Sequence, residues 1–159
     1  MSLSVRPAKE QDSEQLLELY RQTIRTVNCN DYNKMQIDAW APLDLTKEVF
    51  KGYISRCSPF IVVEGDEILG YSDLQPDGLI DHFYCHHRAQ RRGVGSLLMN
   101  TILDKAKLAK LERLYSFVSI TAKPFYLHFG FTVVRPNEAE IRGVVLNNFL
   151  MERSLDNEL

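Results

Sequence analysis

The sequence predicts an α/β fold with a mixed, mostly antiparallel sheet and helices on both faces. Helical and extended periodicities alternate along the chain, and two apolar runs flank Gly65 and Asp66, which is typical of an antiparallel hairpin. A long amphipathic pattern that begins at Val94 lies between two strand patterns. Because a helix between two strands usually crosses between parallel ones, we expect one parallel pair beside the antiparallel strands.

Length, composition and charge limit the classes of function. With 159 residues, of which 45% are hydrophobic and 25% charged, the chain has globular proportions, and we expect a single domain over 1–159. The 19 Lys and Arg residues against 21 Asp and Glu residues give a formal charge of -2. We therefore expect no nucleic-acid or membrane partner, and any anion site must be local.

Cysteine usage and the N-terminal segment predict a cytoplasmic protein. Cys29, Cys57 and Cys85 are odd in number and form no C-x-x-C pair, so we expect free thiols rather than disulfides or a zinc ribbon. The chain shows neither a signal-peptide segment nor a stretch of about 18 apolar residues.

The first third of the chain predicts a strand followed by three helices. The strand spans 3–8, and Asp12 with Gln15 resembles a capping box that opens the first helix. The apolar stripe of that helix is Leu16, Tyr20, Ile24 and Val27. We expect a second helix over 33–40 and a third over 45–53, opened by Asp44.

The middle of the chain predicts three strands. The hairpin strands are 60–64 and 68–74, and a turn at Asp77 and Gly78 leads into a third strand over 79–86. This strand is polar on both faces: Asp81, Phe83 and Cys85 lie on one, and His82, Tyr84 and His86 on the other. Polarity on both faces indicates that part of the strand lines a site.

The remainder predicts a long helix, a short helix and three strands. The long helix carries Val94, Leu97, Leu98, Ile102, Ala106 and Ala109 at helical spacing. The strands are expected over 114–119, 131–134 and 144–151, and the short helix over 123–129.

The stretch Gln90-Arg91-Arg92-Gly93-Val94-Gly95-Ser96 opens the long helix and predicts an anion site. Its two glycines allow a tight turn and a close approach of the backbone to a ligand. The first helical turn leaves N–H groups unpaired, and together with the helix dipole these attract negative charge. A pyrophosphate suits such a site because its oxygens accept several N–H bonds at once.

A second motif follows the next strand. It spans a short helix and the start of a strand and reads Ala122-x-x-x-Tyr126-x-x-x-Gly130-Phe131. Tyr126 is therefore expected close to a helix-to-strand junction.

Together the two motifs resemble those of the GNAT superfamily of acyl-CoA-dependent N-acetyltransferases. Gln90-x-x-Gly93-x-Gly95 resembles the family's phosphate signature, and the later motif resembles its Ala-x-x-x-Tyr-x-x-x-Gly-Phe signature. The order of elements matches over nearly the whole chain. The stretches 36–42 and 78–95 resemble a bacterial subgroup of uncharacterised acetyltransferases.

The resemblance implies direct transfer of an acetyl group from acetyl-CoA to a primary amine of a small molecule or a peptide. It implies that strand 79–86 splays from its parallel neighbour 114–119 and that the pantetheine arm lies along it. The Cys85 N–H would hold the acetyl carbonyl oxygen. The implied cofactor-binding residues are Phe83, Tyr84, Cys85, Gln90, Arg91, Arg92, Gly93, Val94, Gly95, Ser96, Ser119 and Tyr126.

The resemblance also implies catalytic roles. Tyr126 is the expected general acid, because a phenol is protonated at neutral pH and can donate to the departing thiolate. Asp81 is the first candidate for the general base. His82 and Tyr84 are alternatives if the strand bulges, and a water relay from Asp73 is another.

Three positions depart from the family's usual pattern. Ser119 stands where Asn is frequent, His87 where Pro is frequent, and Arg91 where Gly is frequent. Serine still offers a hydrogen bond, and only the detailed loop shape is affected at Arg91. Trp40, the only tryptophan, is either a wall of the acceptor site or part of the core.

The sequence offers three other interpretations. A metal site at His82, Cys85, His86 and His87 is disfavoured because side chains alternate between faces along a strand. A nucleotide-binding protein would need the Walker Lys-Ser/Thr or a third glycine, and both are lacking. A non-catalytic acyl-CoA-binding module of the same fold remains the main alternative, and the protein is expected to be a monomer or a homodimer.

Overall fold

A computed structural model describes residues 2–155 of the chain, and Met1 and 156–159, part of the predicted domain, lie outside the described residues. The strands are β1 (Ser4–Pro7), β2 (Phe60–Glu64), β3 (Glu67–Ser72), β4 (Phe83–Cys85), β5 (Arg113–Ser119), β6 (Thr132–Ile141) and β7 (Val144–Ser154). The helices are α1 (Ser13–Thr26), α2 (Lys34–Trp40), α3 (Lys47–Cys57), α4 (Val94–Leu108) and α5 (Lys123–His128).

The strands form two antiparallel ladders that meet at one parallel contact. The first ladder has the order β1-β2-β3-β4, and the second has the order β5-β7-β6. In the described part of the chain, the link between them is a parallel bridge of Leu79 with Tyr115. The Ile80 N–H donates to the Tyr115 carbonyl at 2.9 Å, and beyond this point β4 and β5 separate. The mixed, mostly antiparallel sheet with a splayed parallel pair is therefore confirmed.

Helices cover both faces of the first ladder because successive strand residues point to opposite sides. On one face α4 packs Leu98 and Ile102 against Val62 and Leu69. On the other face α1 and α3 pack against Ile61 and Tyr71, which are fully buried. Apolar residues on both faces of β2 and β3 therefore contribute to two separate hydrophobic clusters.

Helix starts differ in part from the sequence predictions. Asn33 caps α2 as a capping box, its side chain accepting from the Gln36 N–H at 2.8 Å. The predicted capping box at Asp12 is wrong: the Asp12 carboxylate accepts from Arg6 and from the Lys9 N–H. Gln15 instead accepts from the Ile68 N–H at 2.8 Å and so ties α1 to β3.

Helix α3 and strands β6 and β7 begin or end at residues other than those predicted. Helix α3 begins after Thr46, later than predicted, and continues to Cys57. The hairpin of β6 and β7 extends well beyond the predicted apolar runs. Arg142 and Gly143 both have positive φ, 49° and 78°, which permits a tight turn. β6 is an edge strand with exposed polar residues and a proline, so hydrophobic patterning underestimates its length.

The predicted strand over 79–86 is mostly not in a ladder. Pairing with β3 begins only at Phe83, which lies opposite Ser72. Before that point, side chains of other segments satisfy the backbone: Ser116 donates to the Ile80 carbonyl at 2.6 Å, and Asp73 accepts from the Asp81 N–H at 2.7 Å. Side-chain partners from Ser116 and Asp73 therefore replace the ladder in this segment.

None of the helices described over residues 2–155 combines the length and the apolar character that a membrane crossing requires.

Candidate active site

The gap between β4 and β5 opens into a cavity of about 400 Å³. Most of the residues predicted for the site line it: Asp81, Phe83, Tyr84, Cys85, Gln90, Arg91, Gly93, Gly95, Ser96, Ser119 and Tyr126. The structure thus brings together residues from both motifs, which lie far apart in the sequence.

The phosphate-loop motif forms the mouth of the cavity at the N-terminus of α4. Gly93 has a φ of 85° and precedes the helix, and its carbonyl accepts from the Leu97 N–H at 3.0 Å. The N–H groups of the first helical turn have no acceptor within the helix, so they can bind an anion. A Cβ at Gly95 would lie 3.0 Å from the Phe125 ring, so the absence of a side chain keeps this turn closely packed.

Arg91 adopts the left-handed conformation, with a φ of 64°. An L-residue is strained in this conformation and glycine is not, which accounts for the glycine that the resemblance leads us to expect at this position. The Arg91 side chain is exposed and contributes to the cavity wall. The loop therefore keeps the shape that a glycine would allow and adds a positive charge.

Gln90 ties the loop to β4. Its Nε2 donates to the Cys85 carbonyl at 3.1 Å. The Thr23 hydroxyl of α1 donates to the same carbonyl at 2.8 Å. The carbonyl of Cys85 is therefore held by two side chains.

The N–H of Cys85 faces the gap rather than β3. The His86 N–H donates to the Leu69 carbonyl at 2.7 Å, and antiparallel ladders alternate bonded and non-bonded residues. Cys85, opposite Gly70, is therefore a non-bonded position whose N–H points away from β3. Burial raises the pKa of the Cys85 thiol to about 12, so the side chain stays neutral at pH 7.

Tyr126 lies at the base of the cavity, buried between aromatic rings. Its ring centroid lies 4.9 Å from that of Phe131 and 5.8 Å from that of Phe83. Burial raises the pKa of the Tyr126 hydroxyl, and a hydrogen bond with Ser116 opposes that effect in part. The hydroxyl is therefore protonated at neutral pH and can donate a proton.

Asp81 lines the cavity, and its side chain is half exposed, at 52%. Its main chain is fixed by the Asp73 carboxylate. The predicted position of Asp81 on the cavity side of the chain therefore agrees with the geometry.

His82, the first alternative base, lies apart from the cavity. Its ring stacks on Tyr53 with centroids 4.2 Å apart, and its Nδ1 is 2.9 Å from the Tyr71 hydroxyl. Burial lowers the pKa of His82 to about 4, although the Asp81 carboxylate opposes this effect. The side chain points the other way because residues 81 and 82 alternate in direction, and this leaves the imidazole neutral at pH 7.

Asp73, the proposed relay, is fully buried behind the cavity wall. One carboxylate oxygen accepts from the Tyr53 hydroxyl at 2.7 Å, and the other accepts from the Asp81 N–H. Burial raises the pKa of Asp73 to about 6, while these hydrogen bonds lower it.

Two residues predicted to bind the cofactor have other side-chain partners. Arg92 forms an ion pair with Glu64 at 2.6 Å. The Val94 side chain is buried in the core, so only its backbone N–H is available to a ligand. The histidines considered as metal ligands have other contacts: the rings of His86 and His87 stack with centroids 4.5 Å apart, and the ring of His82 stacks on Tyr53.

Sequence reasoning missed several residues that line the cavity, among them Thr23, Ser116 and Phe125. Thr23 and Ser116 donate to main-chain carbonyls of the wall, and Phe125 packs against Gly95. Thr23 had a detectable signal, because it is a polar residue beside Ile24 on the buried stripe of α1. Ser116, a polar residue in an apolar strand, had a similar one.

Two neighbouring strands that diverge, with a helix N-terminus at the mouth of the gap, define the class of acetyltransferases with the GNAT fold. The chain belongs to this family: residues 28–153 match the model of the acetyltransferase (GNAT) domain. The resemblance seen in the two motifs is therefore confirmed.

Individual relatives agree with this assignment. Over 150 residues the chain is 25% identical to the uncharacterized N-acetyltransferase YafP of Escherichia coli K12, covering 94% of this chain and 95% of that protein. A solved GCN5-related N-acetyltransferase from Rhodopseudomonas palustris aligns with a TM-score of 0.91 and 25% identity, covering 98% of this chain and 97% of that one. The PaiA N-acetyltransferase of Thermoplasma acidophilum, solved in complex with coenzyme A, has the same fold, with a TM-score of 0.78, 18% identity, and coverage of 98% and 100%.

Proposed function

We propose that the protein is an N-acetyltransferase that moves an acetyl group from acetyl-CoA to a primary amine by direct attack. The observation that carries the proposal is the meeting of three groups in one cavity: the N-terminus of α4, the gap-facing N–H of Cys85 and the hydroxyl of Tyr126. The neighbour solved with coenzyme A supports the choice of cosubstrate.

The residues present fit an acyl-CoA. The N–H groups of Val94, Gly95 and Ser96 would bind its pyrophosphate, and Arg91 adds charge beside them. The edge of β4 that faces the gap offers backbone groups to the pantetheine arm, and Ser119 lies on the opposite wall. Acetyl-CoA would supply an acyl thioester, which is reactive toward amines.

The chemistry of the chain's own residues is a matter of positioning and proton transfer. Asp81 accepts a proton from the ammonium form of the acceptor, which makes the amine a nucleophile. The Cys85 N–H donates to the thioester oxygen, where negative charge develops during attack. Tyr126 donates its hydroxyl proton to the departing sulfur as the carbon–sulfur bond breaks, and the second proton that the amine nitrogen loses as the amide forms restores the Tyr126 hydroxyl.

The acceptor is proposed to be a small-molecule or peptide amine that enters beside Asp81. Trp40 and Tyr84 line the cavity together with Asp81, so this end combines aromatic walls with a carboxylate. Such a surface favours a cationic amine, because the carboxylate attracts the ammonium and the rings add cation–π contact.

A screen of amines with acetyl-CoA, detecting the released thiol, tests the proposal. We expect turnover with at least one primary amine and a loss of about 100-fold or more in kcat for both Asp81→Asn and Tyr126→Phe. Leu108→Ala is the control, because Leu108 is exposed at the far end of α4. Coenzyme A should still bind both active-site variants.

The alternative is a non-catalytic acyl-CoA-binding module. It is favoured if coenzyme A raises the melting temperature but no amine in the panel is acetylated. Stabilisation by ATP or NAD without stabilisation by coenzyme A would contradict both interpretations.

A further inference from the structure

Residues 80–82 belong to no strand, and Asp81 in the middle of this segment lines the cavity. Their backbone groups are satisfied from three directions: Ser116 donates to the Ile80 carbonyl at 2.6 Å, Ser72 donates to the His82 carbonyl at 2.6 Å, and Asp73 accepts from the Asp81 N–H at 2.7 Å. All three contributing side chains are buried. The direction of the Asp81 side chain therefore depends on side chains from other segments.

Asp73 is the charged member of this set. It is 0% exposed, and in the part of the chain that the structure describes it has hydrogen-bond donors but no ion-pair partner. A buried carboxyl without a cation is costly, so an apolar residue would be expected here if only packing mattered.

We propose that Asp73 is a positioning residue that orients Asp81 through the hydrogen bond to its main-chain N–H. This role rests on the proposed function of Asp81 as the base. Ser72 and Ser116 fix the carbonyls on either side, whereas Asp73 fixes the N–H of the catalytic residue itself. Loss of this bond lets the segment rotate and moves the Asp81 carboxylate away from the acceptor amine.

The chain offers matched variants that separate this role from simple stabilisation. Asp73→Ala removes the acceptor for the Asp81 N–H. Asp73→Asn retains one oxygen that can accept from the same N–H. Tyr53→Phe removes the other partner of the carboxylate and leaves the Asp81 bond in place.

The first experiment measures hydrogen exchange of the Asp81 amide by NMR, which needs no substrate. We expect the protection factor to fall at least about tenfold in Asp73→Ala, and to be kept in Asp73→Asn and Tyr53→Phe. Unchanged protection in Asp73→Ala would overturn the proposal, whatever the enzyme acetylates.

The second experiment is a double-mutant cycle on kcat with an amine from the screen. We expect Asp73→Ala to lower kcat roughly 10- to 100-fold, Asp73→Asn to recover most of it, and Tyr53→Phe to stay within about threefold of the wild type. Asp73→Ala combined with Asp81→Asn should be no slower than Asp81→Asn alone, because Asp73 acts through Asp81.

The outcomes distinguish the two proposals. If Asp81→Asn is fully active, the assignment of the base is wrong. If Asp81→Asn is inactive but Asp73→Ala is as active as the wild type, or if the two effects multiply, the positioning role of Asp73 is wrong.

Discussion

The hydroxyl of Thr23 donates to the carbonyl of Cys85 at 2.8 Å, although 62 residues separate them in the chain. This bond fastens helix α1 to the residue whose N–H faces the gap between β4 and β5. The two backbone groups of Cys85 are therefore used differently, the carbonyl to hold the strand in place and the N–H to face a ligand.

We predict that Thr23→Val weakens cofactor binding as well as the fold. Valine has the same shape but no hydroxyl, so the Cys85 carbonyl keeps only Gln90 as a side-chain donor. The free energy of unfolding should fall by about 1 kcal/mol, measured by urea denaturation, and the KM for acetyl-CoA should rise severalfold.

Thr101→Val is the matched control for this prediction. Thr101 donates to the Leu97 carbonyl within α4 at 2.8 Å and does not line the cavity. Its replacement should leave the KM for acetyl-CoA unchanged, and equal effects of the two substitutions on that KM would contradict the role given to Thr23.

We predict that Arg91→Gly affects the stability of the protein and its affinity for coenzyme A differently. With a φ of 64°, a non-glycine residue is strained by roughly 1 kcal/mol. Arg91→Gly should therefore not lower the melting temperature, and it should reduce the affinity for coenzyme A, measured by calorimetry, because a positive charge beside the pyrophosphate is lost.

Arg91→Ala separates strain from charge, because alanine keeps the strain and loses the guanidinium. We expect it to bind coenzyme A as weakly as Arg91→Gly but to be less stable than that variant. If both variants bind coenzyme A as tightly as the wild type at low salt, Arg91 does not contact the cofactor.

A methyl group at Gly95 should weaken cofactor binding. The added Cβ would lie 3.0 Å from the Phe125 ring and 3.6 Å from the Cys85 sulfur, so the first turn of α4 would have to shift. We expect Gly95→Ala to raise the Kd for coenzyme A about tenfold or more. Gly52→Ala in α3, where the Cβ would meet only the flexible Arg56 side chain, should leave that Kd unchanged.

Local patterns made the order of elements and both motifs predictable. The start of α4 depends on Gly93 and the apolar spacing after it, and the helix carrying Tyr126 lies within its own motif. By contrast, the early end of the β4 ladder depends on Asp73 and Ser116, which come from other segments. No periodicity within 79–86 carries that information, although the alternation of side chains along a strand does predict that Asp81 and His82 point in opposite directions.

The last prediction concerns the pH dependence of stability, where Asp73 and His82 act in opposite directions. The folded-state pKa of Asp73 is raised to about 6, so its stabilising contribution is complete below about pH 4 and is lost as the pH rises through 6. The folded-state pKa of His82 is lowered to about 4, so its contribution is present above about pH 6.5 and is lost as the pH falls through 4.

Asp73→Asn removes the contribution of Asp73 to the pH dependence of the free energy of unfolding and leaves that of His82. The free energy of unfolding of the variant, minus that of the wild type, should therefore increase by about 2 kcal/mol between pH 4.5 and 6.5 in urea titrations. Asp77→Asn is the control, because Asp77 is exposed and hydrogen bonds from Tyr115 and Leu79 lower its pKa, which places its titration below this interval. A pH-independent difference for Asp73→Asn would mean that Asp73 is already ionised throughout, because its hydrogen bonds from Tyr53 and the Asp81 N–H then outweigh the effect of burial.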